Sequence, residues 1–273
     1  MGAGTVPGYG GAMPSDAVSP RTPHGPGPGH DHGPGHDHGP GRATVPRSDV
    51  ENAVDPERPG RRRTALAGAG GVLASVVIGL IVMLGLGGTN PVDQGWDDLM
   101  AAARESVPWF VPVARGLDWF GGGWRGIVAV PVLVILALLL ARRPWGALFF
   151  AASTVLGAGL VQLIKYVADR DRPQDMLVTS DVGSYPSGHV ANAAVMALVL
   201  ALLIGRAWCW VLAALYTLTM LVSRTYVSAH WLTDTLGGLA LAVGVVLLLA
   251  AAMWQPLSRE WRTRDVVSAT GRA

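Results

Sequence analysis

Six runs of apolar residues, separated by polar or glycine-rich stretches, organise the chain from residue 65 onward. They cover about 65–87, 125–141, 145–164, 188–204, 208–223 and 233–254. A membrane-crossing helix needs about 20 largely apolar residues, within a range near 17–25. The first, third and sixth runs meet this alone, and the second, fourth and fifth must extend into their flanks. Backbone polar groups in lipid have to be satisfied within the segment, so helices are expected. The pattern predicts an all-α polytopic membrane bundle of six transmembrane helices over residues 64–256. A tail over 1–63 precedes it and a short tail over 257–273 follows.

The longest connection, about 88–124, contains WDDLMAAARESVPWFVPVARGLDWF, in which Trp and Phe mix with scattered charges. Such a segment either lies flat on the bilayer as an amphipathic helix or packs as an ordinary loop. Pro108 and Pro112 are expected to interrupt any helix there. Trp124, Trp145, Trp208, Trp231 and Trp254 fall near the ends of the runs, as an interfacial aromatic belt requires.

Basic residues set the orientation. With the N-terminus inside, fourteen Lys and Arg lie on the inner side and seven on the outer. Arg61, Arg62 and Arg63 abut the first run, where such charges act most strongly. Both termini are therefore expected in the cytoplasm. This reading accounts for the pI of about 9.0 without a nucleic-acid partner. Charged residues make up 15% of the chain, against about 25% in a soluble domain, which agrees with a cell-membrane protein. Cys209 is the single cysteine, so no intrachain disulfide forms, and it reads as a small packed hydrophobe.

The tail is Gly/Pro/His-rich and lacks any apolar period, so it is expected to be disordered. No apolar run of the kind a secretory leader carries lies near Met1. The tail repeats GPGHDH, with His30, His32, His36 and His38 as candidates for weak metal binding. It reads either as a flexible spacer or as a metal-binding element. Of 21 basic residues only Lys165 is lysine. Gly/Ala/Arg-rich, Lys-poor usage points to a high-GC bacterial genome. It also draws attention to Lys165, because a point-charge ammonium and a planar guanidinium are not interchangeable.

Three polar clusters interrupt the apolar pattern: KYVADRDRP from Lys165 to Pro173, YPSGHV from Tyr185 to Val190, and SRTYVSAHWLTD from Ser223 to Asp234. The loops after the third and fifth spans share a face, so the topology brings all three to the outer surface. Lys165, Arg172 and Arg224 then form three cations without matching carboxylates, a set suited to a phosphate. Ser187 and Gly188 open a helix whose free N–H groups and dipole favour the same anion. His230 and Asp234 are four apart and share a helical face, so the carboxylate can orient the imidazole as a nucleophile. His189, on the first turn of that helix, is placed to act as general acid and then base. Taken singly, each residue has a structural reading: a snorkelling cation, a solvated histidine, or Asp234 or Thr233 as an N-cap. Both histidines outside the tail and the only lysine fall within the three clusters, and that is what favours a site.

Lys165-x6-Arg172-Pro173, Pro186-Ser187-Gly188-His189 and Ser223-Arg224-x5-His230-x3-Asp234 together resemble the tripartite signature of the type-2 phosphatidic acid phosphatase and vanadium haloperoxidase superfamily. The resemblance covers about 65–254. It implies phosphate binding by Lys165, Arg172, Ser187, Gly188 and Arg224, with His189 as general acid, His230 as nucleophile and Asp234 as its partner. The expected activity is a metal-independent, cofactor-free lipid phosphatase working through a phosphohistidine at the outer face. Polyprenyl pyrophosphate, phosphatidic acid and phosphatidylglycerol phosphate are the candidate substrates. Alternatives are transfer of the phosphoryl group to a sugar or lipid acceptor, haloperoxidase chemistry (disfavoured because the family's haloperoxidases are soluble), and a metal-binding or transport protein acting through its His-rich tail.

Overall fold

The computed structural model describes residues 58–84, 90–179 and 183–261. The expected His30, His32, His36 and His38 site lies outside them. Every regular element among the described residues is helical. The helices are α1 (Arg58–Met83), α2 (Pro91–Ser106), α3 (Phe110–Gly121), a π-helical turn (Arg125–Ala129) continuing into α4 (Val130–Leu140), α5 (Pro144–Ala168), α6 (Gly188–Ile204), α7 (Ala207–Tyr226) and α8 (Leu232–Ala252). A further helical stretch covers 254–261.

Each of the six apolar runs has become a helix. Four of them, α1, α5, α7 and α8, are long and apolar enough to cross a membrane. Together α3 and the continuous segment Arg125–Leu140 make a fifth candidate bent by 56°, and α6 is a shorter apolar helix. The π turn has a local cause. Pro131 lacks an N–H and its ring crowds the carbonyl four residues back, so the α ladder cannot continue through this point. At its other end α6 stops at Gly205, whose φ of 70° suits a residue without Cβ.

The connection at 88–124 is mostly two helices. Pro108 separates them, as expected, but Pro112 does not interrupt α3. It sits in the first turn, where backbone N–H groups have no helical partner to lose. Asn90 caps α2 by accepting from Asp93 N at 2.7 Å. Both helices pack against the end of α7, around Met100, Ala114, Tyr226 and Val227. Tyr226 donates to Val107 O at 2.8 Å.

The main core lies between α4, α5, α6 and α8, with Phe149, Phe150, Val195, Val199, Leu203, Leu241 and Val245 buried. Cys209 is buried beside Ala201 and Ala213, as its reading as a hydrophobe predicts. On one side α1 packs along α8 at backbone distance. A Cβ on Gly244 would lie 2.6 Å from Val72 N, and one on Gly71 would lie 2.8 Å from Gly244 N. Trp231 departs from the expected aromatic belt: it is buried, donates from Nε1 to Asp171 O at 2.9 Å, and lies 5.5 Å from the Arg170 guanidinium.

Candidate active site

The three polar clusters meet where α5, α6, α7 and α8 begin or end. Lys165 is in the last turn of α5, and its ammonium donates to Gly183 O. Arg172, in the loop beyond, donates from Nη1 to Ala229 O at 2.5 Å and lies 3.4 Å from His230 Nε2. Ser187 precedes the first residue of α6 and Gly188 begins it. The backbone N–H of Ser187 donates to Asp234 O at 2.9 Å, which ties the start of α6 to the start of α8. The Tyr185–Pro186 peptide bond before it is cis.

His230 and Asp234 do not share a helix in the expected way. α8 starts at Leu232, so His230 belongs to the turn before it, and Asp234 lies in the first turn. Their approach survives: His230 Nδ1 is 3.6 Å from Asp234 Oδ2, and no closer partner satisfies this buried nitrogen. Neither capping alternative holds as stated, since Trp231 is the N-cap and Thr233 lies inside the helix. Asp234 instead reaches back to accept from Trp231 N at 2.9 Å, so one carboxylate both closes the helix and faces the histidine. Burial pushes the His230 pKa down to about 3, with Lys165 and Arg172 adding to the effect and Asp234 opposing it.

Lys165, Arg172, Gly188, His189 and His230 line one cavity of about 300 Å³. The rest of its lining combines Ile127, Gly157, Ala158, Val161 and Val195 with the polar Thr154, Gln162 and Asn192, and Gly121–Gly123 line it as well. Arg224 and Asp234 are fully buried and are not among the residues that line it. Among the described residues, buried side-chain atoms without a hydrogen-bond partner include Arg224 Nε, Arg224 Nη2 and Ser187 Oγ at this end of the bundle.

The expectation of three cations lacking carboxylates is corrected by α3. Asp118 Oδ1 accepts from Arg224 Nη1 at 2.5 Å and lies 3.3 Å from His189 Nε2. Its carbonyl is 3.2 Å from the same nitrogen. Because Asp118 holds only Nη1, the Nε–Nη2 edge of Arg224, the side that can donate two parallel bonds to an oxyanion, keeps its donors. Two further residues escaped the sequence reading. Arg170 bridges Asp234 Oδ1 at 2.6 Å and Asp93 Oδ2 at 2.7 Å, entirely within the protein. Among the described residues no group of three or more His, Cys, Asp or Glu is arranged to hold a metal ion.

A family model, the PAP2 superfamily, matches residues 146–257, the stretch that carries all three clusters. Over 155 residues, 54% of this chain and 84% of the relative, the chain is 31% identical to the decaprenylphosphoryl-5-phosphoribose phosphatase of Mycobacterium tuberculosis. The chain belongs to the PAP2 superfamily. It is also 26% identical over 175 residues to phosphatidylglycerophosphatase B of Bacillus subtilis, 59% of this chain and 84% of that one. The crystal structure of a transmembrane PAP2-type phosphatidylglycerolphosphate phosphatase from Bacillus subtilis shares the fold, with a TM-score of 0.57 and 24% identity. That match covers 69% of this chain and 96% of the other.

Proposed function

We propose that this PAP2 protein is a membrane lipid phosphatase that hydrolyses a phosphate monoester or diphosphate through a phosphohistidine on His230. One observation carries the reading: a cavity lined by Lys165, Arg172, His189 and His230 is also lined along α5 and α6 by Gly157, Ala158, Val161, Ala191 and Val195, interrupted by Thr154, Gln162 and Asn192. A phosphate suits the first set and the start of a lipid chain suits the second. The relatives' names, which specify a polyprenyl-linked phosphoribose in one case and phosphatidylglycerophosphate in the other, support the same class of substrate.

The chemistry follows from the placement of the groups. Lys165, Arg172 and the first N–H groups of α6, next to Ser187 and Gly188, hold the phosphate oxygens and stabilise their developing charge, and the unpartnered edge of Arg224 adds positive charge from outside the cavity lining. The Nε2 lone pair of His230 attacks phosphorus while the bond to the lipid oxygen breaks. His189 gives that oxygen a proton. The imidazole now carries positive charge, which Asp234 offsets from the Nδ1 side. Water then attacks phosphorus, His189 takes its proton, and the P–N bond breaks to release phosphate. No step calls on a metal. In the accompanying topology, six spans place both termini in the cytoplasm and the site on the outer face, where the lipid remains anchored while its head reacts.

The test is phosphate release by purified protein from a panel of lipid mono- and diphosphates, in wild type and His230→Ala, with and without EDTA. Release in wild type, its loss in His230→Ala and indifference to EDTA are expected. Turnover by His230→Ala would remove the nucleophile assignment, and EDTA inhibition would remove the metal-free mechanism. Label passing to an added sugar or lipid in place of water would make the protein a phosphotransferase. Hydrolysis of an impermeant substrate by intact cells checks the outward-facing site, and hydrolysis only after lysis would overturn it.

A further inference from the structure

Behind the His230–Asp234 pair lies a buried chain of charge that the catalytic steps above do not use. Both oxygens of Asp234 are engaged: Oδ1 accepts from Arg170, and Oδ2 accepts from Ser184 Oγ and Trp231 N while facing His230. Arg170 is itself clamped. Nη1 also donates to Thr233 Oγ1 at 2.8 Å, and Nη2 donates to Asp93. Asp93, fully buried on the first turn of α2, accepts from Thr233 N at 2.9 Å, Thr233 Oγ1 at 2.6 Å and Asn90 Nδ2 at 2.8 Å. Three separate segments thus contribute one line of groups: Asp93, Arg170, Asp234, His230.

We infer that Asp93 and Arg170 are positioning residues for the nucleophile and act on it through Asp234. This rests on the reading of His230 as nucleophile with Asp234 as its partner. When phosphorus bonds to His230, the imidazole becomes cationic and the negative charge of Asp234 is what offsets it. Arg170 fixes the orientation of that carboxylate but also neutralises it at 2.6 Å. Asp93, on the far side of the same guanidinium, takes up part of the cationic charge, leaving the trio with a net charge of about −1 directed at His230. An ion triad serving only to hold α2 against α8 would affect stability. One acting through Asp234 must also affect the phosphoryl-transfer step and must do nothing further once Asp234 is gone.

The experiment is a double-mutant cycle. Asp93→Asn and Arg170→Lys are each made in wild type and in Asp234→Asn, with active sites counted by vanadate binding and turnover followed with radiolabelled lipid phosphate. Asp93→Asn keeps the shape and removes the charge, and Arg170→Lys keeps the charge and removes the fork. Each is expected to lower kcat per vanadate-binding site about tenfold, with KM within about twofold because the phosphate-binding cations are untouched. In the Asp234→Asn background each should change kcat less than about twofold. Equal losses in both backgrounds, or wild-type kcat in the single variants, would overturn the inference. Should Asp93→Asn fail to fold, Arg170→Lys decides alone. Wild-type turnover by Asp234→Asn itself would instead remove the underlying reading, and the inference with it.

Discussion

Gly122 offers a sharp test of His189 as the proton donor. A Cβ added there would stand 2.5 Å from His189 Nε2, 2.9 Å from its Cε1 and 3.0 Å from the Asp118 carbonyl. The backbone itself accepts alanine without strain, at φ −111° and ψ 177°. Non-bonded heavy atoms rest about 3.5 Å apart, so the imidazole must withdraw by about 1 Å. A misplacement of about 1 Å costs on the order of 100-fold in rate, or about 2.7 kcal/mol of barrier. Gly122→Ala is therefore expected to lower kcat/KM for an alkyl phosphate about 100-fold. A nitrophenyl phosphate, whose leaving group departs without a proton, should lose less than about tenfold. kcat/KM is the appropriate measure because it reports on the first transfer and not on dephosphorylation. Gly116→Ala, within α3, which Gly122 caps, with nothing within 4 Å of its added Cβ, should behave as wild type. Equal losses on both substrates would refute His189 as the acid, and no loss on either would refute the geometry.

Two further outcomes follow from the structure. A His230 pKa lowered to about 3 keeps the imidazole neutral, and so nucleophilic, as pH falls through its ordinary value near 6.5. With substrate ionisation accounted for, kcat/KM should show no acid limb from this residue between about pH 7 and pH 5. A limb near 6.5 that belongs to His230 would refute the burial argument. Gly244→Ala should loosen the α1–α8 contact, because its Cβ meets backbone at 2.6 Å (Val72 N) and 2.9 Å (Gly68 O). The expected cost is about 1–3 kcal/mol by denaturation in detergent. Gly70→Ala, facing open space, should be neutral, and equal stability of the two variants would refute the packing account.

The apolar runs announced the helices because lipid-length hydrophobicity is a coarse, local signal. The cations and histidines of the candidate site were legible for a similar reason: each polar cluster stands out against an apolar background. Carboxylates were harder to read. Asp118 meets Arg224 across 106 positions, and Asp93 meets Arg170 across 77. Nothing within α2 singles out Asp93 from Asp97, Asp98 and Glu105, and nothing within α3 says that its one acidic residue, Asp118, meets an arginine. Only the fold selects them, by bringing two amphipathic helices over the ends of α7 and α8. The helices themselves were obscured by Pro112, whose harmless first-turn position becomes evident only once the start of α3 is known. The His230–Asp234 pair shows the reverse case. A spacing of four predicted their contact for a helical reason, yet the contact forms across a turn.

The edge along which α1 meets its neighbours has consequences for how this protein can change over time. Gly68 and Gly71 face the backbone of α8, while Ser75 and Gly79 face Tyr185, whose hydroxyl donates to Ser75 O in front of the Ser187–Gly188 turn. The opposite side of α1 exposes Leu66, Leu73, Val76, Val77 and Leu80. Apolar residues there can be exchanged freely for one another, whereas the narrow edge admits only small ones. Exchange on the broad face therefore changes the sequence of α1 without changing this packing. α1 can thus keep its packing against α8 and Tyr185 while its exposed face changes, and the PAP2 family model matches only from residue 146 onward, well after α1 has ended.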